Sequence, residues 1–229
     1  MKAIVTGGNR GIGLETSRRL AASGFQVHVL SRTGFAGAAE PGVTGWSVDL
    51  ADDERVRDIV REIGPVDVLV NNAGMMNSKT AVDYDIPQIL QILQVNLISA
   101  VRLSVQVAET MAASGGGRIV SLGSIAGQIG HPDLWYGISK AGLMNAMRSI
   151  ARSHGARGVI ANAVAPGPVE TDMMASIPVA RQDRLKAASI AGRFATAGEV
   201  AEVVCWLATS APVYINGEVI DMNNGSNYR

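Results

Sequence analysis

The sequence predicts one α/β domain, a doubly wound parallel sheet of about seven strands with helices on both faces. Three observations carry this. Short apolar runs rich in β-branched residues alternate with segments of helical period to the end of the chain, and no repeat or low-complexity tract interrupts them. A glycine-rich turn joins the first such run to the first helical segment. The 229 residues, 47% of them hydrophobic, suffice for one substantial core and suit a single domain over 1–229.

The elements follow in order. Lys2-Ala3-Ile4-Val5 reads as a buried first strand. After the glycine-rich turn comes a helix over residues 14–23, ended by Gly24. Gln-Val-His-Val-Leu-Ser at 26–31 is the second strand, and residues 44–48 the third. The link between them, 33–43, holds Gly34, Gly37, Pro41 and Gly42; it is too short and broken for a crossover helix and reads as a loop. A helix over 52–63 places Val56, Ile59, Val60 and Ile63 on one stripe. Strands four to seven are expected at 66–70, 118–122, 159–164 and 218–222, joined by right-handed crossovers. The segment 89–111 is apolar on more than one face, broken by Gln91, Gln94, Arg102 and Gln106, which predicts burial of its second face against another subunit or, as the alternative, within the chain's own core.

Composition excludes several classes. Lys+Arg and Asp+Glu both number 20, so nothing electrostatic favours nucleic acid or an anionic membrane. The single Cys205 cannot form an internal disulfide, and its apolar helical setting predicts a small core residue. No leader precedes the first strand and no uncharged apolar run is long enough to span a bilayer, so a cytoplasmic location is expected. No metal site is expected.

Two groups of residues carry chemistry. In Thr6-Gly7-Gly8-Asn9-Arg10-Gly11-Ile12-Gly13 the glycines let the backbone turn tightly and approach a pyrophosphate, which would rest on the helix N-terminus. The spacing is Gly-x3-Gly-x-Gly rather than the commoner G-x-G-x-x-G. Further on, Tyr136 and Lys140 stand four apart and share a helix face. A free phenol titrates near ~10; a neighbouring cation favours the phenolate and brings it toward the working range. The Ser124 hydroxyl can hydrogen-bond the same substrate oxygen as the phenol. Dinucleotide sites that take NAD place an acid after the second strand, whereas Ser31, Arg32 and Thr33 stand there in this chain. Arg32 with Arg10 could clamp a 2′-phosphate, so NADPH/NADP+ is expected ahead of NADH.

Together these motifs resemble the short-chain dehydrogenase/reductase family over nearly the whole chain, which implies a Rossmann-like fold. Thr6 to Gly13 resembles its cofactor loop, with Gly7, Asn9, Arg10, Gly11, Ile12 and Gly13 against the dinucleotide. Asn71-Asn72-Ala73-Gly74 resembles its fourth-strand signature, so Asn72, Ala73 and Gly74 would line the adenosine ribose and inner wall. Asn96, Ser124, Tyr136 and Lys140 fall in the order of its catalytic tetrad. Asp49, with Leu50 beside it, matches the adenine-contacting position; the alternative for Asp49 is to cap the helix starting near Ala51. Pro166, Gly167, Val169 and Thr171 resemble the segment that holds the nicotinamide, and a substrate lid would follow over about 170–192.

The implied reaction is hydride transfer between nicotinamide and a carbonyl or secondary alcohol. Tyr136 would be the acid, Ser124 would steady the oxygen, and Lys140 would bind the nicotinamide ribose and depress the phenol pKa. Asn96 would hold a water. Within the family the sequence is similar to the 3-oxoacyl-[acyl-carrier-protein] reductases in Glu170-Thr171-Asp172-Met173, Ala191-Gly192-Arg193-Phe194 and Tyr214-Ile215-Asn216-Gly217. That implies a 3-oxoacyl thioester substrate, an acyl carrier protein partner and a homotetramer or homodimer. Arg157 lies where a basic residue of the pocket mouth is expected, whereas the stretch 111–117 has none.

The interval from Ser124 to Tyr136 is 12, one shorter than the pattern, and the shortening falls in the loop that should border the substrate. Trp135, Met75 and Met76 could form an apolar wall; His131 in the same loop is assigned no chemistry. Two other readings stay open. One is a reductase or dehydrogenase of a cyclic, aromatic or polyketide substrate. The other is a dinucleotide-binding sensor or scaffold without turnover.

Overall fold

The computed structural model describes residues 1–35, 40–175 and 177–228. Seven strands form one sheet: β1 (Lys2–Thr6), β2 (Gln26–Ser31), β3 (Val43–Ser47), β4 (Val68–Asn71), β5 (Gly117–Leu122), β6 (Val159–Pro166) and β7 (Val219–Met222). Their order is β3-β2-β1-β4-β5-β6-β7, and every pair is parallel. The chain starts in the middle, winds outward to β3, then returns to lay β4 beside β1. That reversal opens a crevice at the carboxyl ends of β1 and β4.

Alternate strand residues feed two cores, because side chains along a strand point to opposite faces. Ile4, Leu30, Leu69 and Ile119 face a layer built from α2 (Asp53–Ile63), α4 (Ser99–Ala113) and α5 (Leu134–His154). Val5, Val29, Val70 and Val120 face the other layer, built from α1 (Gly11–Ala22) and α8 (Ala197–Thr209). Both faces are therefore covered, as an all-parallel sheet requires. Ile4, Leu69 and Ile119 are fully buried, each contributing roughly 1.5–3 kcal/mol.

Boundaries differ from the expectations in ways the local chemistry explains. Helix α1 begins at Gly11 rather than residue 14, so two glycines of the turn are already helical. Helix α2 is capped by Asp52, whose carboxylate accepts from Arg55 N; Asp49 instead accepts from Ala51 N, outside the helix. Strand β4 starts two residues later than expected, while β6 runs on to Pro166. In the link from β2 to β3, residues 32–35 and 40–42 are turns and coil, in line with the loop reading; residues 36–39, with Gly37, lie outside the described residues.

The apolar segment expected over 89–111 is longer and less regular. Helix α3 (Ile86–Leu93) runs through a π-helical turn (Gln94–Ile98) into α4. This 28-residue run holds an 18-residue stretch with a mean hydropathy of 1.3, apolar enough by length and composition alone to cross a membrane. It also carries Arg102 and Glu109, so it is not the uncharged run whose absence the sequence predicts. Its inner face is part of the protein core: Leu103, Val107 and Met111 are buried against the sheet, and Arg102 pairs with Asp53. Its outer face leaves Ile86, Leu90, Ile98 and Val105 exposed. Cys205 sits half-buried against the α1 layer, where burial pushes its thiol up to about 11.

Candidate active site

The carboxyl edge of the sheet opens into one cleft of about 1740 Å³, lined by the loops after β1 to β6. Most residues expected at a site converge there. Gly7, Asn9, Arg10, Gly11 and Ile12 line one end, with Ser31, Arg32, Asp49, Leu50, Asn72, Ala73 and Gly74. Ser124, Tyr136, Lys140, Pro166, Gly167, Val169 and Thr171 line the rest. Two do not. Gly13 is buried beneath the loop, where an added Cβ would lie 2.3 Å from Gly7 O, so its smallness serves the packing of α1 on the loop. Asn96 is fully buried in the π turn.

The glycine loop is held open from below. Asn72 Nδ2 donates to the carbonyls of Thr6 (3.0 Å) and Gly7 (2.9 Å), and Thr6 Oγ1 accepts from Asn72 N and Ala73 N, both 3.1 Å. Gly7 has φ +62°, which favours glycine, and an added Cβ would stand 3.0 Å from Ala73 Cα. Helix α1 begins in this loop with no side-chain cap and no acid in its first turn. Its first amides face the cleft without a side-chain acceptor, which fits a pyrophosphate in that place. Around the end of β2, Asn9 Nδ2 donates to Thr33 Oγ1 (2.8 Å) and Ser31 Oγ to Gly34 O (2.7 Å), shaping the turn. Arg32 is exposed with no side-chain partner among the described residues; Arg10 has one exposed pair, 3.6 Å to Asp172.

At the other end, α5 presents Tyr136 and Lys140. Its N-cap is Asp133, only 1% exposed, whose Oδ1 accepts from Tyr136 N (3.1 Å) and from Tyr84 Oη (2.7 Å). The carboxylate thus holds the first turn of the helix that carries the phenol. Burial raises the Tyr136 phenol above its usual value, a hydrogen bond with Ser124 pulls it down, and the Asp133 charge raises it further. Lys140 is 4% exposed, and burial lowers its ammonium to about 8. Its Nζ donates to Leu122 O at 2.6 Å and lies 5.9 Å from the centre of the Tyr136 ring. The expectation that Lys140 holds the phenol low is therefore not met in this state: desolvation dominates, and Ser124 is the group that opposes it.

Asn96 clamps the chain that leaves β4. Its Oδ1 accepts from Met75 N and its Nδ2 donates to Met75 O, both 2.8 Å, with Ser139 Oγ at 3.1 Å from Nδ2. These bonds tie the segment after β4 to α5 beside Lys140. The π turn is what aims this side chain inward, and helical periodicity gives no sign of it.

The substrate end is apolar. Met75, Met76, Ile125, Ile129, Met174 and Ile177 line it, the last two from the segment between β6 and α8 that includes α6 (Asp172–Ala175) and α7 (Val179–Ala187). Met75 and Met76 stand where the sequence places them, but Trp135 does not line the cleft: on α5 it falls off the face that carries Tyr136. His131 does line it, half-buried, with its Nδ1 3.2 Å from the backbone of Asp133 and its ring 5.6 Å from that of Tyr136. Sequence reasoning passed over Asp133, although an Asp three residues before Tyr136 at a helix start is a capping signal.

Arg157 is not at the mouth of this cleft. It follows the 21-residue α5, whose ends lie roughly 30 Å apart at about 1.5 Å per residue. At the far edge of the sheet it grips Glu109 with two bonds, 3.0 and 3.1 Å.

This fold and this cleft define an oxidoreductase of the Rossmann-like class, with a dinucleotide end and a phenol–hydroxyl–ammonium group facing an apolar end. Comparison with known proteins narrows that. A family profile described as Enoyl-(Acyl carrier protein) reductase matches residues 7–227. The 3-oxoacyl-[acyl-carrier-protein] reductase FabG of Escherichia coli (strain K12) is 36% identical over 233 residues, 97% of this chain and 96% of the relative. The reductase MabA of Mycobacterium avium is also 36% identical, over 231 residues, 97% of this chain and 88% of the relative. A solved short chain dehydrogenase/reductase family protein superposes with a TM-score of 0.90 at 33% identity, covering 98% of this chain and 96% of that one. The chain belongs to the short-chain dehydrogenase/reductase family and is an oxidoreductase that uses a nicotinamide cofactor.

Proposed function

We propose that the protein reduces a 3-oxoacyl thioester to the 3-hydroxyacyl form with NADPH. The observation that carries this is the placing of Tyr136 and Ser124 together at the boundary between the dinucleotide end and an apolar substrate end. Identity to 3-oxoacyl-[acyl-carrier-protein] reductases along 97% of the chain supports the substrate class.

The dinucleotide would lie along Gly7 to Ile12, with Asp49 and Leu50 at the adenine, Arg10 and Arg32 at a 2′-phosphate, and Pro166 to Thr171 at the nicotinamide. When bound, the nicotinamide supplies the hydride to the carbonyl carbon. The Tyr136 phenol, raised by burial, is protonated at neutral pH and gives its proton to the carbonyl oxygen as that oxygen gains charge. Ser124 hydrogen-bonds the same oxygen. Lys140 binds the nicotinamide ribose, and its charge favours the phenolate left behind. Asn96 and Asp133 position this group, one by fixing the chain at Met75, the other by capping α5. The exposed apolar side chains of α3 and α4 form an interface with further copies of the chain, in a homodimer or homotetramer. The carrier of the acyl chain is acyl carrier protein, and the site of action is the cytoplasm.

The test follows oxidation of NADPH, and of NADH in parallel, with acetoacetyl-CoA as the thioester. Turnover is expected with NADPH ahead of NADH, and Arg32→Asp should reverse that order in kcat/KM. Turnover of cyclic or aryl ketones in place of the thioester would move the substrate to the second class. Unchanged cofactor selectivity in Arg32→Asp would remove Arg32 from the site.

A further inference from the structure

Arg181 is a cation of the cleft to which the reaction above gives no task. It stands half-buried on α7 and lines the substrate end. Among the described residues its guanidinium makes no ion pair and no side-chain hydrogen bond. Holding a charged group partly out of water without a partner is costly, and a guanidinium is shaped to take a carboxylate or phosphate through two parallel bonds. The position also fits. Arg181 and His131 line the same cleft, and the Arg181 charge adds to the lowering of the imidazole that burial causes first. His131 in turn lies 5.6 Å from the Tyr136 ring. Two acids of this region are already engaged: Asp133 by Tyr84 Oη and the amides of Tyr136 and Asn77, and Asp172 by Arg10.

We propose that Arg181 sets substrate specificity by binding an anionic group of the substrate, a phosphate or a carboxylate, on the wall of the cleft beyond Tyr136 and His131. The inference rests on carbonyl reduction at Tyr136. Because Arg181 rides on α7, the same contact ties that helix to the bound substrate. The phosphate would come from the arm of a thioester, the carboxylate from a free oxo acid.

The experiment uses two pairs that differ in charge. One is acetoacetyl-CoA against the neutral acetoacetyl thioester of N-acetylcysteamine; the other is a free 3-oxo acid against its methyl ester. Arg181→Gln should raise KM for the charged member by about tenfold or more and leave kcat and the neutral member unchanged. Arg181→Lys should recover part of the loss. An effect confined to the first pair assigns the phosphate, and one confined to the second assigns the carboxylate. Equal changes in both members of each pair, or none in either, overturn the proposal. Where the wild type turns over neither thioester, the thioester reading falls by itself and the acid–ester pair still decides Arg181. Where it turns over no compound, calorimetric titration of both variants with acetoacetyl-CoA and the free acid in the presence of NADP+ decides instead. Weaker binding to Arg181→Gln of either compound supports the proposal, and equal binding of both overturns it.

Discussion

The two edges of the sheet carry similar polar groups and treat them in opposite ways. At the amino edge Glu109 is gripped by Arg157 and His154, which together hold its carboxyl at about 2. Lys2 Nζ donates to Ile63 O, and Arg118 reaches the carbonyls of Leu207 and Ala211. Asn162, 1% exposed, accepts from Glu218 N and donates to Ile215 O. At the carboxyl edge, Arg32 and Arg181 have no side-chain partner among the described residues, and α1 begins without a side-chain cap. Lys140 holds a single carbonyl, that of Leu122. Polar groups closed on one another stabilise a fold and are lost to chemistry. Groups left open cost stability until a ligand arrives.

If the edges divide labour in this way, substitutions at each should move different observables. The largest effect belongs to Tyr136→Phe: kcat should fall on the order of 10³-fold, with dinucleotide affinity and thermal midpoint held. A lower midpoint with kcat intact would break the comparison. Next is Asn162→Ala, which leaves the buried amide of Glu218 and carbonyl of Ile215 unpaired. Roughly 1–3 kcal/mol for each group should lower the midpoint by several degrees, at about 2–4 °C per kcal/mol for a chain of this size. Its kcat/KM, measured well below the transition, should stay that of the wild type.

The smallest effect is a pH dependence of the cofactor-free protein. Lys140 titrates at about 8 in the folded chain against 10.5 when unconstrained. Between those values the unfolded chain still binds a proton that the folded chain has released, so stability rises with pH across that window, by at most about 1.4 kcal/mol per pH unit. Below about 8 the folded chain carries the full cost of the buried charge. Thermal melts of wild type and Lys140→Met at the two ends of the window should converge or cross accordingly. A constant gap would mean that Lys140 stays charged, and that the carboxyl edge is less dry than its burial implies.

Much of the active edge was legible because it is written in short spacings. The glycines of the first turn, the four-residue step from Tyr136 to Lys140 and the residues after β2 each act over one turn or one helix face. Other features depend on where distant segments meet. The π turn that hides Asn96 breaks the period used to read helices, and Arg157 looks near the pocket only until the length of α5 carries it to the other edge. His131 and Arg181 belong to a loop and a short helix whose sequences have no pattern in common, and only the fold brings both to one wall.

The sequence alone therefore determined the parallel α/β architecture, the glycine turn after the first strand and the three residues Ser124, Tyr136 and Lys140 that meet in the cleft. Period, β-branching and glycine placement are local properties of a chain. The tertiary structure decided which of these groups are open and which are closed. It buried Lys140 enough to lower its ammonium, set Ser124 against the phenol, and left Arg181 in the cleft with no side-chain partner among the described residues. Desolvation and pairing depend on every element packed around a group, and no window of sequence contains them.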